Sequence, residues 1–205
     1  MDFLDVLNKR RACHNFVPGK TIPDDDLVTM IEQASLSPSG YNAQPWEFIV
    51  IREQETIHDV YEIAYKQEHL KNCSAIIMVL ADQEIGRHAD DIVKDWEKYG
   101  YRNAEQAASL KGAMTKKTRP EKKEMMAIRN AAMAGMTLIY AAENIGYATC
   151  PMMGFPQIKL KHYLNLPDDR KFALMIAIGY EDPNAKKLER LPRKKSAETI
   201  HWEKY

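Results

Sequence analysis

Apolar positions recur along this chain at two spacings, and together they predict helices interleaved with short buried strands. Phe3, Val6 and Leu7 share one face of a helix over residues 2–9, after which the chain runs through Arg10-Arg11-Ala12-Cys13-His14-Asn15-Phe16 to a turn signal at Pro18-Gly19. Ile22-Pro23-Asp24-Asp25-Asp26 starts a second helix, its acids lying in the first turn where the helix dipole favours them. Leu27, Ile31 and Ala34 face inward, and Pro38 stops the helix. Phe48 to Ile51 and Ala75 to Leu80 are continuous apolar runs suited to buried strands, with a helical stretch from Ile57 to Leu70 between them.

From Glu84 to Lys117 the chain is charged and aromatic, with Trp96, Tyr99 and Tyr101 among acids and bases, and Arg119-Pro120 breaks it; an exposed helical lid is expected here. Met125 to Ile145 is apolar on nearly every side and predicts a central helix buried all round. Gly146 ends it. A turn is expected at Thr149-Cys150-Pro151, then a short helix from Gln157 to Tyr163 and a third strand from Phe172 to Ile178. Residues 181–205 form a polar tail with no core of its own, which must pack on something, be disordered or reach across to a partner.

The chain has 205 residues, enough for one sizeable core, so a single domain is expected. Apolar residues make up 45% and no run approaches the roughly 20 needed to cross a bilayer, which excludes a membrane-spanning class. The acidic start, Met1-Asp2-Phe3-Leu4-Asp5, does not resemble a secretory signal. Three widely spaced cysteines, Cys13, Cys73 and Cys150, argue against a disulfide framework and for a reducing compartment, so a cytoplasmic location is expected. Lys plus Arg equal Asp plus Glu at 29 each, so nothing overall draws the chain to nucleic acid or a membrane surface, although Lys186 to Lys195 is locally basic. A small ligand is favoured.

Common catalytic signatures are missing. There is no glycine-rich dinucleotide fingerprint and no P-loop, the six histidines have no metal-ligand spacing, and no cysteines form C-x-x-C, so metal catalysis is not expected. Three segments stand out. Lys9-Arg10-Arg11-Ala12-Cys13-His14 gathers cations at a helix end, which is either a solvated last turn complementing the dipole or a site where a phosphate receives charge-assisted, bidentate contacts. Ser37-Pro38-Ser39-Gly40-Tyr41-Asn42-Ala43-Gln44-Pro45-Trp46 is a loop rich in donors and acceptors; it is either a turn held by its own side chains or a rigid edge for a planar heteroaromatic. Thr149 to Phe155 places Gly154 where backbone could approach a ligand closely, or forms a plain turn.

In this order and spacing the segments resemble the FMN-dependent nitroreductase family over nearly the whole chain. The pattern comprises the arginine-rich turn, S-P-S-x-x-N-x-Q-P-W, a P-x-x-G-F loop after the central helix and a closing R-L-P; the second is specific and the others are weak alone. The resemblance implies an α+β fold, a mixed sheet flanked by helices, in an intertwined homodimer that holds two FMN molecules at the subunit interface. It assigns Arg10 and Arg11, with Ala12 beside them, to the FMN phosphate and ribityl chain, and Pro38, Ser39, Gly40 and Asn42 to a loop reaching the flavin from the other subunit. It further assigns Gln67 to the pyrimidine edge, with Lys66 and His69 as alternatives, Met153 and Gly154 to backbone near flavin N5, and Arg190 to a second phosphate contact. In the lid, Trp96, Tyr99 and Tyr101 either close over the flavin with Tyr41 lining the floor of a substrate pocket, since aromatics bind flat acceptors by stacking, or merely anchor the lid to the body.

The chain departs from the family pattern at Ala12, where many relatives have serine, at His14, where they have lysine or arginine, and at Leu188, where some have lysine. These departures imply a looser phosphate grip or one that uses Lys187. His14 would stand near the flavin pyrimidine, and a histidine carries charge there only while protonated. The implied activity is hydride transfer from NADH or NADPH through the flavin to a small acceptor such as a nitroaromatic or quinone, in a ping-pong cycle with no catalytic side chain. A shared scaffold does not fix the reaction, so dehalogenation or dehydrogenation on the same flavin fold, and a non-enzymatic flavin-binding protein, are the alternatives.

Overall fold

The computed structural model of the protein describes residues 1–186 and 188–205. Its centre is strand β2 (Ala75–Asp82), all eight residues of which are buried. It lies between β1 (Trp46–Ile51) and β4 (Arg170–Gly179), and β3 (Ala148–Met152) pairs with the far edge of β4, in the order β1-β2-β4-β3. All three ladders are antiparallel, and a parallel bridge between Ala12 and Thr149 adds the mixed direction on the outer edge of β3.

The continuous apolar run of β2 follows from having both sheet faces covered. Ala75, Ile77, Val79 and Ala81 point to a core shared with α2 (Asp24–Ala34) and α6 (Pro120–Asn144), whereas Ile76, Met78 and Leu80 point to one shared with α3 (Gln54–Ile63) and α7 (Gln157–Tyr163). An alternating sequence would have left one face to water. Helix α1 (Phe3–Lys9) packs on the C-terminal part of α6, with the Phe3 ring 5.8 Å from that of Tyr140.

Helix α6 meets the sheet through small residues. Ala127, Ala131, Ala134, Gly135, Ala141 and Ala142 are buried along it together with Leu138 and Ile139. The approach is closest at Gly135, where a Cβ would stand 2.6 Å from Leu174 Cδ1 and 3.5 Å from Val79 Cγ2.

Several elements differ from expectation. The helix expected to be buried all round is covered by the sheet, by α2 and, towards its C-terminal end, by α1, but not on its remaining side: Met125 and Met133, with exposed Arg129 between them at four-residue spacing, leave a stripe open to solvent. An apolar pattern says that a face needs cover; it does not say that the same chain supplies it. The turn expected at Thr149-Cys150-Pro151 is instead the body of β3, where Pro151 is tolerated because the strand lies at the sheet edge. The helix expected from Ile57 to Leu70 ends at Ile63, because Tyr65 (φ 61°) and Lys66 (φ 53°) are left-handed, and a single 3-10 turn follows at Glu68–Leu70.

The charged stretch between β2 and α6 forms two helices, α4 (Ala89–Lys98) and α5 (Ala104–Thr115), which pack through Ala89, Ile92 and Met114 onto Ala43 and Tyr41. Beyond β4 the described residues of the tail add an antiparallel bridge from Glu181 to Phe16 and a 3-10 turn at Ser196–Glu198, and Leu188, Leu191, Trp202 and Tyr205 are exposed. No helix among the described residues is long and apolar enough to cross a membrane.

The close contact at Gly135 makes a bulky side chain there untenable without separating helix from sheet. Gly135→Leu is expected to lower the unfolding free energy by about 1–3 kcal/mol, the usual cost of overpacking. Urea denaturation checks this, and an unchanged midpoint would mean that α6 does not press on Leu174 and Val79.

Candidate functional site

Helix α1 ends where the arginines begin. Arg10 leaves helical geometry at ψ 127° while its amide still donates to the Val6 carbonyl. Arg190 reaches back from the tail, and its Nη2 donates to the carbonyls of Asn8 (2.8 Å) and Arg10 (2.5 Å), satisfying the open end of the helix and setting a second guanidinium beside the first. The following residues are strapped to β3 by the Ala12–Thr149 bridge and by the Cys13 amide, which donates to the Thr149 carbonyl at 2.8 Å. Arg10 and Arg11 are half-buried, and Ala12 and His14 are exposed.

Arg11, Ala12 and His14 line a cavity of about 240 Å³ closed on its other side by Lys186 and Leu188 of the tail. Lys187 lies outside the described residues. The donor set suits a phosphate ester: Arg11 and Lys186 line the opening, with Arg10 and Arg190 beside it at the helix end, although the Glu181 carboxylate lines it too. A second acid, Glu143, lies nearby. Burial pushes the Glu143 carboxyl up, against a downward pull from Arg10.

The cluster continues through His14 to the turn before β2. The rings of His14 and His69 stand 5.5 Å apart, and His69 Nε2 meets Met152 Sδ at 2.7 Å. Gln67 follows the left-handed pair Tyr65 and Lys66, and its Nε2 donates to the carbonyls of Ala64 (3.0 Å) and Gly154 (2.9 Å). Both amide hydrogens are thereby spent, which leaves Oε1 as the acceptor that Gln67 can offer a ligand. Of the alternatives to Gln67, Lys66 is paired with Glu62 at 3.1 Å and His69 is packed on Met152. Met153 and Gly154 are exposed, and nothing lies within 4 Å of where a Gly154 Cβ would be, so this backbone is open to an approaching group.

The Ser37–Trp46 loop is held by a different part of the molecule. Ser37 is buried and its Oγ lies 2.7 Å from Thr137 Oγ1, the Gly40 amide donates to Asn130 Oδ1 at 2.9 Å, and the Gln44 amide donates to Ser39 Oγ at 2.9 Å. Under this clamp Tyr41 (φ 63°), Asn42 (φ 56°) and Gln44 (φ 46°) all adopt left-handed backbone, a strained arrangement that persists because the surroundings enforce it. Pro38 and Asn42 are exposed and Ser39 is half-buried. Asn130, which holds Gly40, lies near the middle of α6 and Thr137, which holds Ser37, two turns further on, whereas Glu143, which feels the charge of Arg10, lies near the C-terminal end. At 1.5 Å per residue Asn130 is about 20 Å and Thr137 about 9 Å from Glu143 along the axis. Residues 10–14, 67–69, 152–154 and 190 are joined by the contacts above, and none of those contacts reaches residues 38–42.

Beside this loop, Tyr41, Asn42, Trp96, Tyr101, Arg102 and Leu110 line a cleft of about 330 Å³, in which the Tyr41 and Trp96 rings are 6.5 Å apart. Tyr99 lies outside it: α4 ends at Lys98, and the Tyr99 ring turns outward with the Lys98 ammonium 5.0 Å above it. Asn130 and the contact of His69 with Met152 were not foreseen from the sequence. The one amide in the middle of an apolar helix was the available signal for Asn130; the His69 contact depends on chain reversals that leave no local trace.

With this geometry in hand, the chain can be compared with known proteins. The family model described as "Nitroreductase family" matches residues 7–180. MhqN of Bacillus subtilis, provisionally named an NAD(P)H nitroreductase, is 30% identical over 189 residues, covering 91% of this chain and 92% of its own. The crystal structure of the nitroreductase ydfN of Bacillus subtilis, also provisionally named, superposes with a TM-score of 0.90 at 28% identity, covering 98% of each chain. A protein of Exiguobacterium sibiricum solved in complex with FMN has the same fold, with a TM-score of 0.85 at 22% identity over 98% of this chain and 97% of that one. The chain belongs to the nitroreductase family.

The surroundings of His69 give a pH signature. Burial first, and the neighbouring charge of His14 second, lower its affinity for a proton below the ordinary value of 6.5. The unfolded chain takes up that proton nearer 6.5, so as pH falls through this value protons bind the unfolded state preferentially and stability declines; above it the contribution is level. Denaturation midpoints between pH 5 and 8 are expected to fall at the acid end more steeply for the wild type than for His69→Gln. Parallel curves would show that His69 is not held neutral.

Proposed function

We propose that this protein is an FMN-dependent oxidoreductase that passes hydride from NADH or NADPH to a small acceptor such as a nitroaromatic or a quinone. One observation carries the reading: four segments far apart in sequence converge so that three arginines stand at one end of a patch, and the Gln67 carbonyl and open Met153-Gly154 backbone stand at the other. Family membership and the nicotinamide-dependent name of MhqN support it, as does FMN in the Exiguobacterium neighbour.

Arg10 and Arg11 hold the phosphate, with Arg190 fixing the helix end they project from and Lys186 closing the opening that Leu188 leaves uncharged. Ala12 brings no hydroxyl, so the grip rests on charge. Gln67 accepts from the pyrimidine edge through Oε1, and His14 stands next to it. Bound FMN supplies the hydride-accepting and hydride-donating chemistry. The chain contributes orientation and electrostatics rather than an acid, base or nucleophile. Donor and acceptor occupy the same open face in turn, which makes the cycle ping-pong.

The second half of the site comes from a second copy of the chain. Pro38, Ser39, Gly40 and Asn42 belong to a loop held on the middle of α6 through Asn130 and Thr137, and none of the contacts above joins them to the arginines within one chain. The apolar surface left open by Phe3, Leu4, Leu36, Met125 and Met133 runs along that helix and its neighbours, as a two-fold interface requires. The cysteines are all buried and none is in a disulfide among the described residues, in keeping with the reducing cytoplasm where the nicotinamide donor is available.

The purified protein is expected to be yellow, to bleach with NADH or NADPH without oxygen, and to regain colour with a nitroaromatic or quinone. A colourless protein that takes up no added FMN would refute the reading. Arg10→Ala with Arg11→Ala is expected to weaken FMN binding by at least about tenfold, because each charge-assisted contact to phosphate is worth that much.

Oligomeric state is tested separately by sedimentation. A dimer is expected at all concentrations at which FMN is retained, and a monomer that keeps its flavin would overturn the shared site.

A further inference from the structure

Tyr41 separates two hollows. On one side is the aromatic cleft with Trp96 and Tyr101; on the other is a larger cavity of about 450 Å³ between the loop after β2, the end of α5 and the first turns of α6. The larger one is built to a definite shape: Gly86 lies so close to the end of α5 that a Cβ there would stand 2.8 Å from the Met114 carbonyl oxygen. Tyr41 is held between the hollows at φ 63° by the Gly40–Asn130 hydrogen bond.

The charge of this cavity is one-sided in a chain that is neutral overall. Arg87, Lys116, Lys122 and Lys123 line it against the single carboxylate of Glu84. Arg87 is taken up by Asp82 (2.9 Å) and by Asp169, and Lys123 by Glu84 (2.7 Å). Lys116 and Lys122 face the same space with no ion pair among the described residues, and the N-terminus of the 25-residue helix α6 adds positive potential there. A surplus of cations around a cavity with one aromatic wall fits a flat molecule carrying a negative group.

We propose that this cavity binds the anionic group, a carboxylate or a phosphate, of a reactant whose planar part lies against Tyr41. The inference rests on the oxidoreductase reading above and narrows it: flat acceptors bearing an acid group are preferred to their neutral counterparts, or the donor bearing an extra phosphate is preferred to the one without. Lys116 and Lys122 are the specificity-determining residues.

The test compares the wild type with Lys116→Gln/Lys122→Gln, using 4-nitrobenzoate against its methyl ester as acceptors and NADPH against NADH as donors. Lys94→Gln, on the outer side of α4, is the control. If the acid group belongs to the acceptor, kcat/KM for 4-nitrobenzoate falls about tenfold in the double variant while the ester changes by less than about twofold, the difference being one charge-assisted contact. If it belongs to the donor, KM for NADPH rises by a similar factor and that for NADH does not. Equal effects on charged and neutral reactants, or none, overturn the proposal even if the enzyme is active.

Calorimetric titration of the purified protein with 4-nitrobenzoate and with inorganic pyrophosphate gives a readout independent of turnover. Binding of at least one anion that weakens in the double variant, but not in Lys94→Gln, supports the cavity even if the redox reading fails. Binding of neither anion, or binding unaffected by the lysine changes, overturns it.

Discussion

The candidate site depends on the close seating of α6 against the sheet. Its alanines and Gly135 let the helix lie directly on β2 and β4, so a beam of 25 residues is fixed rigidly to a core buried on both faces. The middle of that beam carries Asn130 and Thr137, which clamp the Ser37–Trp46 loop; its C-terminal end carries Glu143 and Asn144, against which α1 and the arginines are set. Any shift of the helix would move both groups of ligand-facing residues at once. For the shared flavin site proposed above, rigidity is a functional requirement, because each copy has to present its half at a set distance.

The root of the two-helix excursion is fixed by charge. Asp82, at the buried end of β2, accepts from the Glu84 amide and the Arg87 side chain, while Arg170 joins it to Glu47 and Asp169. Glu47 above all, with Asp82 and Asp169, holds the Arg170 guanidinium firmly in its charged form. With Asp82 and Arg170 nearly buried, breaking one partner would leave an unpaired charge in the protein, so the network opposes displacement of the loop that follows β2. The point from which the α4–α5 pair departs is therefore fixed.

The strained loop shows how the two halves of the site differ. Tyr41, Asn42 and Gln44 hold left-handed backbone under external clamps, so the half-buried Tyr41 and the exposed Asn42 and Gln44 are already in place before any ligand arrives. The arginine end is organised the other way, by mutual satisfaction: Arg190 occupies the open carbonyls of α1 and Gln67 ties its turn to Gly154. The first half supplies shape and the second supplies charge and hydrogen-bonding direction.

Much of this was legible in the chain. Continuous apolar runs located β1, β2 and β4, Pro23 and the acids after it located the start of α2, and the order of Arg10-Arg11, Ser37–Trp46 and Pro151–Phe155 pointed to the family, whereas α6 begins at Pro120 and not at Met125. These features are local, and local sequence sets backbone preference and burial directly. What sequence could not decide depends on who covers whom. The stripe of Met125 and Met133 on α6 reads as core until the sheet is seen to cover only the opposite side; Thr149 to Met152 reads as a turn until β4 offers an edge; Tyr99 reads like Tyr101 until the end of α4 turns it outward. Periodicity tells a residue which face it belongs to, and only the packed elements tell that face whether it meets the sheet, a ligand or another copy of the chain.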